Sequence, residues 1–243
     1  MEDLSGKIKN EIIRAKKFVF SPSKREISKP EIASMIDHTS LSPNASAKQI
    51  EKLCFEAIDN KFHSVCVNPF RVPLASKKLE GTDVKVASVI AFPFGATSPK
   101  AKAEETRWAL SNGSDEFDMV MNIGALKDLE YEKVYDDIKA VVEEARGRIV
   151  KVIIETALLN FEEKVAACVI SKEAGALFVK TSTGYSKGGA VAEDVALMRF
   201  VVGDELGVKA AGGIHTYEDA VEMILAGANR IGASHSLEIV GVE

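Results

Sequence analysis

A (β/α)8 barrel preceded by an N-terminal helical extension is the fold class this sequence predicts, and three observations carry it. Short apolar runs alternate with longer amphipathic stretches eight times, at about 25 to 30 residues per unit. Most of the runs are apolar on both faces, as expected of parallel strands covered from inside and outside. The chain has 243 residues, 46% of them hydrophobic and 28% charged, which suits a globular protein with one large core. A doubly wound open sheet is the alternative, but the first strand is followed by "DHTSLSPNA", without the Gly-rich turn such a sheet usually carries.

In chain order, residues 1–32 read as one or two amphipathic helices broken near "SPSK", expected to cap the lower end of the barrel or to mediate assembly. The barrel itself is expected over 33–243. Its strands are expected at 34–41, 63–69, 84–93, 116–124, 149–159, 177–184, 208–214 and 229–234. Helix starts are readable at Ser46, at Ser98 with proline following, at Asn160 and at Thr216, each a residue type whose side chain can accept from the first free backbone N–H groups. Glycines 113, 147, 175, 207 and 227 are expected near helix ends.

Composition narrows the function. A net charge of -5 argues against nucleic acid, whose phosphates need a basic surface. Cys54, Cys66 and Cys168 are widely spaced and odd in number, which suggests reduced thiols rather than a disulfide framework or zinc cluster. The opening twenty residues mix acids and bases without the apolar core of a signal peptide, and no stretch is long and apolar enough to span a membrane. A cytoplasmic setting is therefore expected. His38, His63, His215 and His235 form no ligand-spaced cluster with acids, so neither a metal nor another cofactor is expected.

In such a barrel, chemistry sits at the C-terminal ends of the strands. Lys180 ends the run "ALFV" and precedes Thr181, Ser182, Thr183 and Gly184, a position facing the mouth. A desolvated lysine has a lowered pKa and can form a Schiff base with a carbonyl, although a lysine at a strand end can also simply snorkel into water. Lys209, on the neighbouring strand, lies in a short buried stretch where an unpaired charge is costly; it either faces Lys180 and lowers its pKa, or points outward to an acid. Asp118, between Phe117 and Met119, must be paired or functional, and could serve as a proton carrier through a water or as a structural ion-pair partner. Asp37 and Glu155 have similar settings and can hold the hydrogen-bond network of the mouth. "AAGGIHT", "RIGAS" and "TSTGYSKGG" put glycines and hydroxyls after three adjacent strands, an arrangement suited to an anion such as phosphate.

Eight segments in order, "DHTSL", "VCVNP", "ASVIAFPFG", "DEFDMVMNIG", "KVIIET", "FVKTSTG", "KAAGGI" and "RIGAS", resemble the deoxyribose-phosphate aldolases over residues 35–234. The resemblance implies a metal-free class I aldolase that reversibly cleaves 2-deoxy-D-ribose 5-phosphate to glyceraldehyde 3-phosphate and acetaldehyde. It further implies that Lys180 forms the Schiff base, Lys209 tunes it and Asp118 shuttles protons with water. By the same pattern Asp37, Thr39 and Cys66 line the substrate pocket. Thr183, Gly184, Gly212, Gly213, Gly232 and Ser234 hold the hydroxyls and phosphate. The implied partners are phosphosugar and aldehyde small molecules, and the implied assembly is a homodimer or homotetramer. Tyr185, His215 and His235 depart from the family's usual pattern, and the chain ends in "LEIVGVE", without the terminal tyrosine found in some members. Another lysine-dependent phosphosugar aldolase or transaldolase, or a non-catalytic metabolite-binding barrel, remains an alternative.

Overall fold

The computed structural model describes residues 3–242. Eight parallel strands close on themselves in sequence order: β1 Ile36–Ser40, β2 Ser64–Val67, β3 Lys85–Ile90, β4 Glu116–Val120, β5 Ile149–Ile153, β6 Phe178–Lys180, β7 Gly207–Ala211 and β8 Arg230–Ala233. The helices are α1 Leu4–Ala15, α2 Lys29–Ala33, α3 Ala47–Asp59, α4 Val72–Leu79, α5 Pro99–Ser111, α6 Ile123–Lys127, α7 Tyr131–Glu144, α8 Phe161–Glu173, α9 Ala192–Val202, α10 Tyr217–Leu225 and α11 Ser236–Val240. No described helix is long and apolar enough to cross a membrane.

The four expected caps form. Ser46, Asn160 and Thr216 each close a capping box with Gln49, Glu163 and Asp219, and Ser98 accepts from the Ala101 N–H ahead of α5. Gly113, Gly147, Gly175 and Gly227 follow helices with positive φ, but Gly207 opens β7 instead. A Cβ at Gly207 would stand 2.1 Å from the Phe178 ring, so close packing explains that glycine, while Gly203 follows α9.

The extension does not sit below the barrel as one unit. α1 lies against the outer helices: Lys7 pairs with Glu173 of α8, and the Arg14 guanidinium covers the Phe200 ring of α9 at 4.2 Å. Ser23 and Ile27 then tie the connecting segment to α10 through Leu225 O and the Tyr217 hydroxyl. β5 and β6 are shorter than the apolar runs that announced them. Past Ile153 the chain enters a one-turn 3-10 segment, and past Lys180 it enters the hydroxyl-rich loop.

Two cores result. The larger one fills the space between strands and helices, where outward residues such as Phe117, Met119, Val150 and Val152 are buried. A small apolar cluster of Leu41, Cys66, Ala87 and Val89 forms separately, with Phe92 against it. The residues between the outward ones are charged.

Candidate active site

Strand alternation and register decide which charges meet. Lys180 is level with Lys209, Asp118 with Lys151, and Lys209 with Arg230, so neighbouring strands present ionisable side chains at matching heights inside the barrel. Barrel interiors are normally filled by branched apolar residues. Here Asp37, Asp118, Lys151 and Lys209 are completely buried, and Glu116, Lys180 and Arg230 nearly so.

The contacts form one connected cluster. Asp118 accepts from Lys180 Nζ at 2.8 Å and Lys209 Nζ at 2.7 Å on the same oxygen, Oδ2, and from Lys151 Nζ at 2.7 Å on Oδ1. Lys209 also donates to Asp37 Oδ2 at 2.5 Å, and Lys151 lies 2.7 Å from Glu116 and 3.5 Å from Asp37. Arg230 reaches Asp37 and Glu116 at 2.9 Å each. Gly232 makes room for this, because a Cβ there would come within 2.9 Å of Lys209 Cε.

The three lysines are unequally held. Lys151 touches three carboxylates, Lys209 two and Lys180 one. Burial by itself would lower all three. For Lys151 and Lys209 the acids outweigh it and the ammonium is favoured. For Lys180, burial and then the Lys209 charge outweigh Asp118, and its pKa falls. Burial, not the neighbouring cation, is thus the larger cause at Lys180. On the acid side, Lys151 leads the cations that hold Asp118 far below its ordinary range against burial, and Lys209 leads for Asp37. Glu116 falls to about 2, with Lys151, His63 and Arg230 offsetting burial. Lys180 aside, the cluster sets three acids, Asp37, Glu116 and Asp118, against Lys151, Lys209 and Arg230. A closed, desolvated space strongly favours that balance.

Asp37, His63 and Glu116 bring three potential metal-ligand atoms within 4.8 Å of one another. Both acids are already committed to Arg230 and to lysines, so this donor set does not fit a cation.

Lys180 is the member of the cluster that reaches the mouth. It lies at a cavity of about 500 Å³ at the C-terminal end of the barrel, lined also by Thr39, Thr183, Gly184, Gly212, Gly213, Gly232 and Ser234. Asp37 and Cys66 are not on that wall: the Asp37 oxygens are spent on Lys209, Arg230 and Ser64, and the Cys66 thiol belongs to the small apolar cluster. Asp118 meets the lysines directly, without an intervening water. Glu155, in the left-handed region at φ 55°, accepts from the backbone N–H and hydroxyl of Thr183 and so fixes the loop that follows Lys180. Lys151, Glu116 and Arg230 were not singled out from the sequence. Their signal was available, since each is a charge in or beside a buried run. Outside the barrel, Lys102 and Asp137 form a second fully buried pair, which holds Val120 O and Asn122 N–H at the end of β4.

A buried amine whose pKa is lowered, beside a balanced ion cluster at the mouth of a closed barrel, is an arrangement for imine chemistry. The profile of the DeoC/LacD family aldolases matches residues 32–242. The chain belongs to that family. As a member of the DeoC/LacD aldolases, it is a lyase. A deoxyribose-phosphate aldolase of Thermotoga sp. (strain RQ2) is 56% identical over 92% of this chain and 90% of its own. The Clostridium tetani deoxyribose-phosphate aldolase is 61% identical over 86% and 98%. Among solved structures, one from Coccidioides immitis superposes with a TM-score of 0.92 at 42% identity, covering 99% of this chain and 97% of that one. The Aeropyrum pernix deoxyribose phosphate aldolase, described as a unique tetramer, gives 0.83 at 31% identity with the same coverage.

Proposed function

We propose that this aldolase reversibly cleaves 2-deoxy-D-ribose 5-phosphate to D-glyceraldehyde 3-phosphate and acetaldehyde through an imine on Lys180. The observation that carries the reading is the setting of Lys180: of the three lysines in the cluster it has the fewest acid partners, a lowered pKa and access to the cavity. The relatives named above support the substrate.

Lys180 Nζ attacks the C1 carbonyl, and loss of water leaves a protonated imine. That imine draws the electron pair of the C2–C3 bond as the C3 hydroxyl gives up its proton, releasing glyceraldehyde 3-phosphate and leaving an enamine. Protonation at C2 and hydrolysis then release acetaldehyde and regenerate the amine. Asp118 is a weak base in the free enzyme, because the surrounding lysines, led by Lys151, hold it ionised. Once Lys180 Nζ becomes an imine nitrogen it has a single N–H in place of the amine's several, and Asp118 Oδ2, beside it and Lys209, can carry the proton between substrate hydroxyl, water and C2. Lys209 and Lys151 stay charged, and keep the cluster from taking a proton back onto Lys180.

The catalytic unit in this reading is the barrel of residues 33–243, with residues 1–32 as a packing extension, acting without a cofactor in the cytoplasm. Assembly as a homodimer or homotetramer is supported by the tetrameric relative and by exposed Phe55, Phe70 and Phe94; light scattering against the 26.2 kDa chain mass tests it. The deciding experiment for the function supplies 2-deoxyribose 5-phosphate and measures acetaldehyde. Its release in step with glyceraldehyde 3-phosphate is expected. Turnover confined to other phosphosugars would replace the substrate assignment while leaving the chemistry.

A further inference from the structure

A phosphosugar in this cavity meets no permanent positive charge. The ionisable side chains on its wall are Lys180, Tyr185 and His215. The N-terminus of α10 is not free for an anion either, because the Asp219 carboxylate accepts from the His215 and Thr216 N–H groups at 2.9 and 3.0 Å. Backbone donors remain, since the N–H groups of Gly212, Gly213 and Ser234 make no hydrogen bond among the described residues. Neutral donors alone hold a dianion less well than charge-assisted ones.

Two imidazoles stand together at that end of the cavity. His215, from the loop after β7, and His235, from the loop after β8, are exposed and meet edge to face with Nδ1 atoms 3.0 Å apart. The Ser234 hydroxyl lies 3.1 Å from His235 Nδ1 and also lines the cavity. At 3.0 Å one proton must lie between the two nitrogens, so one ring donates and the other accepts. A proton added at the far nitrogen of the donor ring makes the pair an imidazolium–imidazole hydrogen bond with one positive charge. A second proton on the shared line would set two N–H groups against each other, unless an acceptor came between them.

We propose that His215 and His235 form a proton-linked clamp for the substrate's phosphate and set the preference for phosphorylated over unphosphorylated sugar. The inference rests on the phosphosugar reading above. The phosphate dianion takes one N–H from each Nδ1, the direct contact between the rings opens, and the complex gains the proton that the accepting nitrogen lacked. Asp219 packs behind His215, its carboxylate accepting from the His215 N–H, and Tyr185 and Lys180 are the other titratable groups on the cavity wall. Glu238 of α11 acts on His38.

The test compares KM and kcat for 2-deoxyribose 5-phosphate and for 2-deoxyribose between about pH 6 and pH 8.5, the range in which imidazole changes charge. The phosphorylated KM is expected to rise with pH by at most about tenfold per unit, the limit for one linked proton, with kcat following the same profile for both sugars. His215→Gln and His235→Gln raise the phosphorylated KM at low pH by about tenfold, flatten its rise and leave the 2-deoxyribose KM unmoved. His215→Arg keeps a low KM that no longer climbs, which separates the protein's proton from the ionisation of the phosphate itself. A flat ratio of the two KM values in the unaltered enzyme, or glutamine variants with unchanged phosphorylated KM, overturns the clamp while leaving the aldolase reading intact. Should 2-deoxyribose 5-phosphate prove not to be a substrate, inorganic phosphate still decides. Imidazole NMR shifts of both rings at low pH, weaker at high pH, support the clamp, and unmoved resonances refute it.

Discussion

Replacing Lys209 by methionine removes a charge and keeps most of the volume, so it isolates what that ammonium does to Lys180. Bonds of 2.8 and 2.7 Å to one carboxylate oxygen hold the two nitrogens within about 5.5 Å of each other. At an effective dielectric constant of about 20, two unit charges at that distance repel by about 3 kcal/mol or more, or about two pK units. Removing Lys209 also leaves the three acids facing only Lys151 and Arg230, and a proton on Lys180 restores the balance. Both effects move the Lys180 amine toward its charged form. The Lys209→Met variant is therefore expected to trap acetaldehyde about a hundredfold more slowly near neutral pH, with the pH profile of trapping displaced upward by about two units and the rate recovered in alkali. Circular dichroism checks that the fold persists. A profile that stays in place would refute the argument that the Lys209 charge lowers the Lys180 pKa, even if the rate fell.

Other parts of the cluster give separate readouts. Asp118→Asn leaves three lysines without their shared carboxylate and is expected to lower kcat by about 10²–10⁴, measured as acetaldehyde release; a near-normal rate would make Asp118 structural only. Lys151→Met strips a partner from three buried acids and should cost about 3–5 kcal/mol of stability, read as a lower urea midpoint. The folded pKa values of Asp37, Glu116 and Asp118 are depressed, so their stabilisation is complete above the ordinary carboxylate range and is lost as pH falls through the folded values. For Glu116 that window runs from 4.5 down to about 2, and acid unfolding is expected to steepen there and to flatten there in Glu116→Gln.

The barrel was legible because its strands are buried on both faces and its helices announce themselves by caps: Ser46, Ser98, Asn160 and Thr216 all cap as their residue types suggest. Lys180, Lys209 and Asp118 were legible as charges in places where burial is costly. The rest of the cluster was harder because register is a relation between strands. Lys151 sits between Val150 and Val152 much as Lys209 sits between Val208 and Ala210, yet only the paired height of Asp118 and Lys151 makes the contact visible. Asp37 had two readings, the pocket wall that the family resemblance implies and a hydrogen-bond network that its setting allows; its side chain turns to Arg230 and Lys209. The apolar stripe on α1 likewise does not say whether it packs beneath the barrel or along its flank.

Borohydride reduction in the presence of acetaldehyde, followed by peptide mapping, tests the central claim most directly. The account predicts a gain of about 28 Da on Lys180 and on no other lysine, absent in a folded Lys180→Leu variant. A gain on Lys209 or Lys151, or none on any residue, would contradict it.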